Sequence, residues 1–183
     1  MFFYPVDTDL RLRLLRHGDA AQLYSLTDLN RAHLRQWLPW LNAVKGQDDS
    51  LAFIELTLRQ HADGRGFVAG IERGGDLIGL VGHHPIDWKN RSVGLGYWIA
   101  QEWQGRGIMT RCCKAVIAHT FGVIGVHRVT ICCAIGNARS RAIPERLGFR
   151  LEGTLREAEW LYDRFIDVAL YACTTSEWAE TMA

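Results

Sequence analysis

A strand, a glycine turn and a helix follow one another without a break in the middle of the chain. The apolar run Val93 to Ala100 is rich in strand formers, and the helix-period stretch Ile108 to Phe121 opens directly from the turn Gln104-Gly105-Arg106-Gly107. Another strand-like run, His127 to Ala134, comes next. Because parallel strands need such a crossover helix, the stretch predicts a βαβ unit that the remaining elements must accommodate.

The start of the crossover helix is suited to binding an anion. Its first N–H groups lack intrahelical partners, and the helix dipole adds partial positive charge there. Gly105 and Gly107 let phosphate groups approach the main chain, and Arg106 adds a cation suited to phosphate oxygens. A P-loop needs Lys after Gly107, and a dinucleotide fingerprint needs Gly or Ala at Thr110. The turn therefore predicts a diphosphate site of another kind.

The flanking segments predict a sheet around this unit. Arg73-Gly74-Gly75-Asp76 is a strong hairpin signal, and Asp163-Arg164 is predicted to turn a closing hairpin. Hairpins give antiparallel neighbours, so we predict an α+β fold with a mixed, mostly antiparallel central sheet and helices on both faces. The further predicted strands are Leu10 to Leu15 as the first strand, Phe67 to Glu72, Leu77 to His84, Phe149 to Glu152, Glu159 to Tyr162 and Phe165 to Cys173.

Helices are predicted on either side of the central unit. Asp19 is expected to cap a helical region that starts at Ala20, and Ser50 to cap an amphipathic helix to His61. Asn137 and Gly148 bound a short helix as cap and stop, and a helical turn follows Thr174.

Asn30 to Leu41 has a helical period that Pro39 interrupts. Trp37 and Trp40 lie close to this proline. They form either a wall or lid of a binding site, or ordinary core packing.

Composition narrows the classes of function. The chain has 183 residues and 48% hydrophobic content, which predicts one domain over residues 1–183. A net charge of +1 argues against a nucleic-acid binder. Absence of a signal-like start or a run of about 20 apolar residues predicts a cytoplasmic protein without membrane contact. The five cysteines lack zinc-site spacing, so we expect buried thiols and no metal.

Two motifs give the sequence a family resemblance. The glycine turn resembles Gln/Arg-x-x-Gly-x-Gly/Ala, the acetyl-CoA motif of GNAT N-acetyltransferases, and departs from it at Met109. Asn137-x-x-Ser140, followed by Leu147-Gly148-Phe149, resembles the second GNAT motif. Both ends of the chain, including Asn30-Arg31 and Glu159-x-Leu161, look like the RimJ/RimL group of ribosomal-protein serine and alanine N-acetyltransferases.

The resemblance implies a GNAT-like fold in which two neighbouring strands splay apart to bind acetyl-CoA. Tyr97, Trp98, Ile99 and Ala100 would then pair with the pantetheine arm, and a backbone N–H near Trp98 or Ile99 would face the thioester oxygen. The diphosphate would lie on the amides of Gln104, Gly105, Arg106, Gly107, Ile108, Met109 and Thr110.

The catalytic roles are also implied by the resemblance. Asn137 and Ser140 would lie at the thioester, where Ser140 protonates the departing thiolate. Glu159 would take a proton from the acceptor amine, directly or through water. Candidate acceptor contacts are Asn30, Trp37, Trp40, His84 and Glu159. Each of the two catalytic candidates also has a structural alternative. Ser140 could be a serine that only forms local hydrogen bonds, and Glu159 a solvated carboxylate on a strand. His83 and His84 point to opposite faces of a strand, so one of them faces inward, as a base or as packing.

Amine chemistry favours one acceptor class. An amine attacks only when neutral, which an α-amino group with a pKa of about 8 achieves readily. Neutralising a lysine at pH 7.5 costs about 4 kcal/mol. We therefore expect direct transfer from acetyl-CoA to a protein N-terminus in a ternary complex. A polyamine or antibiotic acceptor and a non-catalytic CoA-binding sensor are the alternatives, and a homodimer is left open.

Pro144 predicts an irregularity four residues after Ser140. Proline has no N–H to donate to the carbonyl of Ser140, and its ring presses on that carbonyl. The helix is therefore expected to bend or begin late, leaving the Ser140 region open and hydrated.

Overall fold

The computed structural model describes residues 3–182 of the chain, so Met1, Phe2 and Ala183, at the ends of the predicted domain, lie outside the described residues. Its strands are β1 (Phe3–Pro5), β2 (Leu10–Leu14), β3 (Val68–Arg73), β4 (Asp76–His83), β5 (Ser92–Ile99), β6 (Arg128–Ala134), β7 (Arg150–Leu161) and β8 (Arg164–Thr174). Within the described residues they form one sheet in the order β1-β2-β3-β4-β5-β6-β8-β7.

The sheet has one parallel pair. β5 and β6 are parallel and are joined by helix α4 (Ile108–His119) and a π-helical turn (Thr120–Ile124), whereas the other neighbouring strands are antiparallel. This confirms the predicted βαβ crossover and the mixed, mostly antiparallel sheet. The hairpin between β3 and β4 is also confirmed, because Gly74 and Gly75 have φ of 60° and 100° and supply the left-handed backbone of a two-residue turn.

Helices cover both faces of the sheet, as predicted. The other helices are α1 (Ala20–Leu29), α2 (Arg31–Leu34), α3 (Gln47–Ala62), α5 (Ala138–Arg146) and α6 (Thr175–Met182), with short 3-10 turns at His17–Asp19, Leu41–Ala43 and Gln101–Trp103. Strand β4 shows the two layers directly. Its Leu80 packs in a cluster with Leu23 and Ile54 of α1 and α3, while Val81 packs in the main core with Val116 of α4.

Several local expectations are wrong in detail. Strand β1 precedes the strand predicted to be first. The carboxylate of Asp19 does not cap α1, because it accepts hydrogen bonds from the Arg13 guanidinium and the Arg16 N–H, each at 2.7 Å. Helix α3 begins before Ser50, which is buried inside it. The Asp49 carboxylate instead holds the N–H groups that precede α3.

Two longer segments also differ from expectation. The helix predicted from Asn30 ends at Leu34, and a turn and a 3-10 segment follow, so the chain leaves the helix before Pro39 is reached. The two short strands predicted before and after residues 153–158 form one strand, β7, which keeps pairing with β8 by means of two bulges.

His83, the last residue of β4, is a buried polar residue. Its Nε2 lies 2.8 Å from the Thr120 hydroxyl, which itself donates to the Val116 carbonyl, so His83 donates and Thr120 accepts. Nδ1 is buried without a hydrogen-bond partner in the described part of the chain. Burial, with added repulsion from His119 and His84, lowers the pKa of His83 to about 4.

We predict that the protein loses stability as pH falls because of this histidine. The unfolded chain binds the proton near pH 6.5, whereas the folded chain resists it down to a pKa of about 4, so protonation favours unfolding throughout that window. Urea unfolding at pH 7 and pH 5 should differ by about 2 kcal/mol from this group alone. His83→Gln should flatten that difference, and an unchanged pH dependence would contradict the assignment.

Candidate active site

The parallel pair at the centre of the sheet opens into a cleft. β5 and β6 are paired only at Ser92 with Arg128, Val93 with Val129 and Gly94 with Thr130. Beyond that point β5 stays paired with β4 as far as Ile99, and β6 stays paired with β8 as far as Ala134. The two strands therefore diverge while each remains in the sheet. This confirms the predicted splay and leaves the β5 backbone from Leu95 onward without a strand partner on the cleft side.

The glycine turn lies at the end of β5 and caps α4. Gly105 and Gly107 have φ of 74° and 68°, a backbone conformation that side chains other than glycine adopt at a cost. A Cβ on Gly105 would meet nothing within 4 Å, so the turn is open toward the cleft. The first backbone bond of the helix runs from the Arg111 N–H to the Gly107 carbonyl. The N–H groups of Ile108, Met109 and Thr110 are thus not used within the helix.

Met109 stands where the motif has a small residue, but its side chain does not fill the glycine turn. Its side chain is 7% exposed and packs in the main core, so the large residue is accommodated beneath the turn. Arg106 is placed differently from the expectation. Its guanidinium stacks 4.8 Å from the centroid of the Trp103 ring and lines a separate small pocket with Asp9 and Arg73. Only the Arg106 main chain therefore belongs to the turn that faces the cleft.

The side chain of Gln104 joins two elements across the mouth of the cleft. Its carboxamide oxygen accepts a hydrogen bond from Arg139 of α5 at 2.8 Å, and its nitrogen lies 2.6 Å from Nε2 of His33 in α2. Burial and the Arg139 charge lower the pKa of His33. Asn30, which was predicted to touch the acceptor, instead accepts the Gln101 N–H at 2.8 Å and fixes the loop that leads to the turn.

A hydrogen-bonded network crosses the splay from β5 to α5. The Tyr97 hydroxyl donates to the Ser140 carbonyl at 3.0 Å and accepts from the Ser140 hydroxyl at 3.3 Å. Cys133 Sγ lies 3.2 Å from the same serine hydroxyl. Burial raises the pKa of Tyr97 and of Cys133, so both groups stay protonated. The predicted Asn137 cap is present, since its side chain accepts the Ser140 N–H at 3.1 Å.

Helix α5 does not begin late, contrary to the expectation from Pro144. It starts at Ala138 and includes the proline. The Ser140 carbonyl, which has no donor at position 144, is bonded by Tyr97 instead.

Glu159 is half-buried and lines the cleft. Burial raises the pKa of its carboxyl group, and the charge of His84 partly opposes that rise. His84 lines the same cleft, close to Gly94 and Gly96 of β5. A bulge immediately precedes Glu159 in β7. Within it, Glu157 has φ of 49°, and its N–H donates to the Asp167 carboxylate of β8 at 2.8 Å.

Aromatic side chains form one wall of the cleft. Trp37 and Trp40 are half-buried and line it, so of the two readings the structure favours a wall rather than core. The Trp40 ring lies 6.3 Å from that of Trp98. The Tyr162 hydroxyl donates to the Leu38 carbonyl, and Arg35 stacks 3.7 Å from the Tyr162 ring centroid. The wall is therefore tied to the turn between β7 and β8.

Some lining residues could not be foreseen from the sequence. Phe53 and Leu56 of α3 are exposed toward the cleft, although their helical period marks them only as part of a surface helix. Cys132 is exposed on β6, which corrects the expectation of five buried thiols. It is among the residues that line the cleft. The cleft measures about 2090 Å³ and connects the glycine turn, the Ser140 network and Glu159.

A strand pair that splays beside a glycine-capped helix, with a carboxylate and a hydroxyl in one cleft, is an arrangement suited to binding an anionic ligand and to acid–base catalysis of group transfer. The Acetyltransferase (GNAT) domain model matches residues 9–150. The chain belongs to this GNAT acetyltransferase family, and it is an N-acetyltransferase that uses acetyl-CoA.

Similar proteins span nearly the whole chain. YdaF of Bacillus subtilis (strain 168), assigned as a ribosomal N-acetyltransferase, is 36% identical over 97% of this chain and 98% of its own length. The ribosomal-protein-serine acetyltransferase of Escherichia coli (strain K12) is 31% identical over 91% and 93%. A structure of RimL, a ribosomal-protein α-N-acetyltransferase, in complex with coenzyme A has a TM-score of 0.91 at 29% identity, covering 94% of this chain and 98% of RimL.

Two further findings concern only residues 3–182. No group of three or more His, Cys, Asp or Glu side chains in that range is arranged to hold a metal ion. No helix there is long and apolar enough to cross a membrane.

We predict that Gly107→Ala weakens acetyl-CoA binding beyond what its strain alone explains. An alanine at φ 68° costs about 1 to 2 kcal/mol and twists the N–H groups at the start of α4 out of line. Gly125→Ala is the matched control, because Gly125 has φ of 78°, open space around it and a position outside the cleft. Calorimetric titration should show weaker binding for Gly107→Ala only. Equal affinities in the two variants would exclude the turn as the binding element.

Proposed function

We propose that this protein acetylates the α-amine of a protein N-terminus, by direct attack of the amine on acetyl-CoA in a ternary complex. The observation that carries the proposal is the charge of the cleft. Among the described residues that line it, Asp49 and Glu159 are the only carboxylates. Asp49 is engaged through one oxygen, which accepts from the N–H groups of Lys45 and Gly46, whereas the Glu159 carboxylate accepts no hydrogen bond from the described residues. Glu159 is therefore the more available carboxylate for an amine. One available carboxylate suits one amine rather than a polycation.

The cofactor residues proposed from the sequence fit coenzyme A. The unpaired backbone from Tyr97 through Ala100 would bind the pantetheine arm as a strand partner. The amides of the turn from Gln104 to Thr110 would bind the diphosphate. On the structure, Arg139 is a further candidate for the phosphate groups, because it already reaches the same turn. Asn137 holds Ser140 at the far end of the cleft.

Glu159 and Ser140 would move the two protons of the reaction. The carboxylate of Glu159 accepts the proton that the amine loses as its nitrogen bonds to the acetyl carbon. The Ser140 hydroxyl donates a proton to the sulfur as the carbon–sulfur bond breaks, and solvent restores both groups afterwards. Burial raises the pKa of the Glu159 carboxyl group toward the pKa of an α-amine. A smaller difference between these two pKa values makes the proton transfer more efficient.

The aromatic wall supports a polypeptide acceptor. Trp37, Trp40 and Phe53 line the acceptor side of the cleft, where apolar surface can cover the first residues of an extended chain. The names of the relatives agree with this acceptor class, since two of the proteins compared act on ribosomal proteins. A non-catalytic sensor would not need Glu159 and Ser140 in one cleft. We place the reaction in the cytoplasm, in one domain spanning residues 1–183.

A panel of amines tests the acceptor. Peptides that begin with serine or alanine, the same peptides with a blocked N-terminus and an internal lysine, and spermidine are each incubated with acetyl-CoA. We expect the free N-termini to react more than about tenfold faster, because neutralising a lysine costs about 4 kcal/mol. Mass spectrometry locates the acetyl group. Preferential reaction of spermidine would overturn the acceptor assignment, and no reaction despite cofactor binding would favour the sensor.

Glu159→Gln is predicted to separate chemistry from binding. Turnover should fall by about 10² or more because the general base is lost, while the Kd for acetyl-CoA stays within about twofold. In the wild type, turnover should fall as pH drops through the raised pKa of Glu159, and the variant should lack that component. Glu157→Gln is the control, since it removes a nearby exposed carboxylate. Equal turnover in the two variants would remove Glu159 from the mechanism.

A further inference from the structure

At the backbone carbonyl of Ser140, the Tyr97 hydroxyl supplies the hydrogen-bond donor that Pro144 cannot supply. Pro144 sits inside α5 and has no N–H, so the Ser140 carbonyl lacks the donor that a regular helix supplies four residues later. The Tyr97 hydroxyl fills that place at 3.0 Å. The bond is partly buried, and a carbonyl that is partly removed from water and left without a donor is costly, so this bond contributes more than a surface contact.

The same hydroxyl also sets the direction of the serine side chain. Because Tyr97 spends its hydrogen on the carbonyl, its oxygen is left to accept the Ser140 hydroxyl at 3.3 Å. Cys133 Sγ lies 3.2 Å away on the other side of the serine oxygen. Two groups, the Tyr97 hydroxyl of β5 and the Cys133 thiol of β6, therefore hold the Ser140 hydroxyl of α5 between them.

The bond also spans the splay. Tyr97 belongs to β5 beyond its last pairing with β6, and Ser140 belongs to the helix that follows β6. The phenol thus connects the two walls of the cleft at the depth of Ser140, where the strands themselves make no bond.

We propose that Tyr97 is a positioning residue for Ser140, substituting through its hydroxyl for the backbone N–H that Pro144 lacks. This role rests on the proposed function of Ser140 as the acid that protonates the leaving sulfur. It is separate from the use of the Tyr97 main chain by the cofactor, because Tyr97→Phe removes the hydroxyl and keeps the backbone.

A double-mutant cycle tests the substitution of one donor for another. Tyr97→Phe is made in the wild type and in Pro144→Ala, a variant that restores a backbone N–H able to donate to the Ser140 carbonyl. In the wild type we expect kcat to fall about tenfold, which corresponds to about 1.4 kcal/mol for one lost hydrogen bond, with the KM for acetyl-CoA within about twofold. In the Pro144→Ala background the same change should lower kcat less than about threefold.

Tyr171→Phe is the matched control. The Tyr171 hydroxyl also bonds α5, but through the side chains of Arg141 and Glu145. Its effect should be the same in both backgrounds. An equal loss from Tyr97→Phe in both backgrounds, or no loss at all, would overturn the proposal.

Urea unfolding tests the exchange of donors at the Ser140 carbonyl without relying on catalysis. The midpoint should fall in Tyr97→Phe and recover when Pro144→Ala is added, even if the single variant folds poorly. Ser140→Ala checks the underlying function separately. Full turnover in Ser140→Ala would refute the acid role, whereas absence of recovery in the unfolding midpoint would refute the exchange of donors at the carbonyl.

Discussion

The structure depends on where the hydrogen bonding between β5 and β6 stops. Backbone N–H and C=O groups inside a sheet are nearly always paired, and a row of unpaired groups between two central strands is normally too costly to keep. Here the pairing ends at Gly94 and Thr130, while β4 and β8 hold the outer edges of the two strands. The splay therefore survives because each strand has one complete neighbour. The other edge is the one that we propose for the pantetheine arm of the cofactor.

Much of this arrangement could be predicted from the sequence, because it rests on local signals. The glycine turn, the Asn137 cap, the β3–β4 hairpin and the crossover each follow from residue types within a few positions. The predictions that fail concern which side chain accepts hydrogen bonds at the start of a helix. Asp19 bonds Arg13 rather than capping α1, and at α3 Ser50 is no cap, while Asp49 in the first turn holds the N–H groups that precede the helix. Which acceptor a helix uses depends on packing that a local pattern does not contain.

The long-range contacts at the site could not be predicted from the sequence either. Glu159 was foreseen from family resemblance, but the bulge that precedes it was not. Two strand segments with a gap between them became one strand, whose extra residues are held by the Asp167 carboxylate and a left-handed Glu157. A bulge reorients the side chains that follow it, so the orientation of Glu159 depends on a residue in the next strand. The Tyr97 bond to the Ser140 carbonyl has the same character.

The segment after α1 links the two halves of the cleft. At one end, Asn30 fixes the loop before the glycine turn and His33 contacts Gln104 of the turn itself. At the other end, the Leu38 carbonyl holds Tyr162 beside the strand that carries Glu159. The wall cannot move beside Tyr162 without straining the bonds at the glycine turn, since only a few residues separate them. In the ternary complex that we propose, this segment would connect the loop that holds the cofactor physically to the surface that receives the amine.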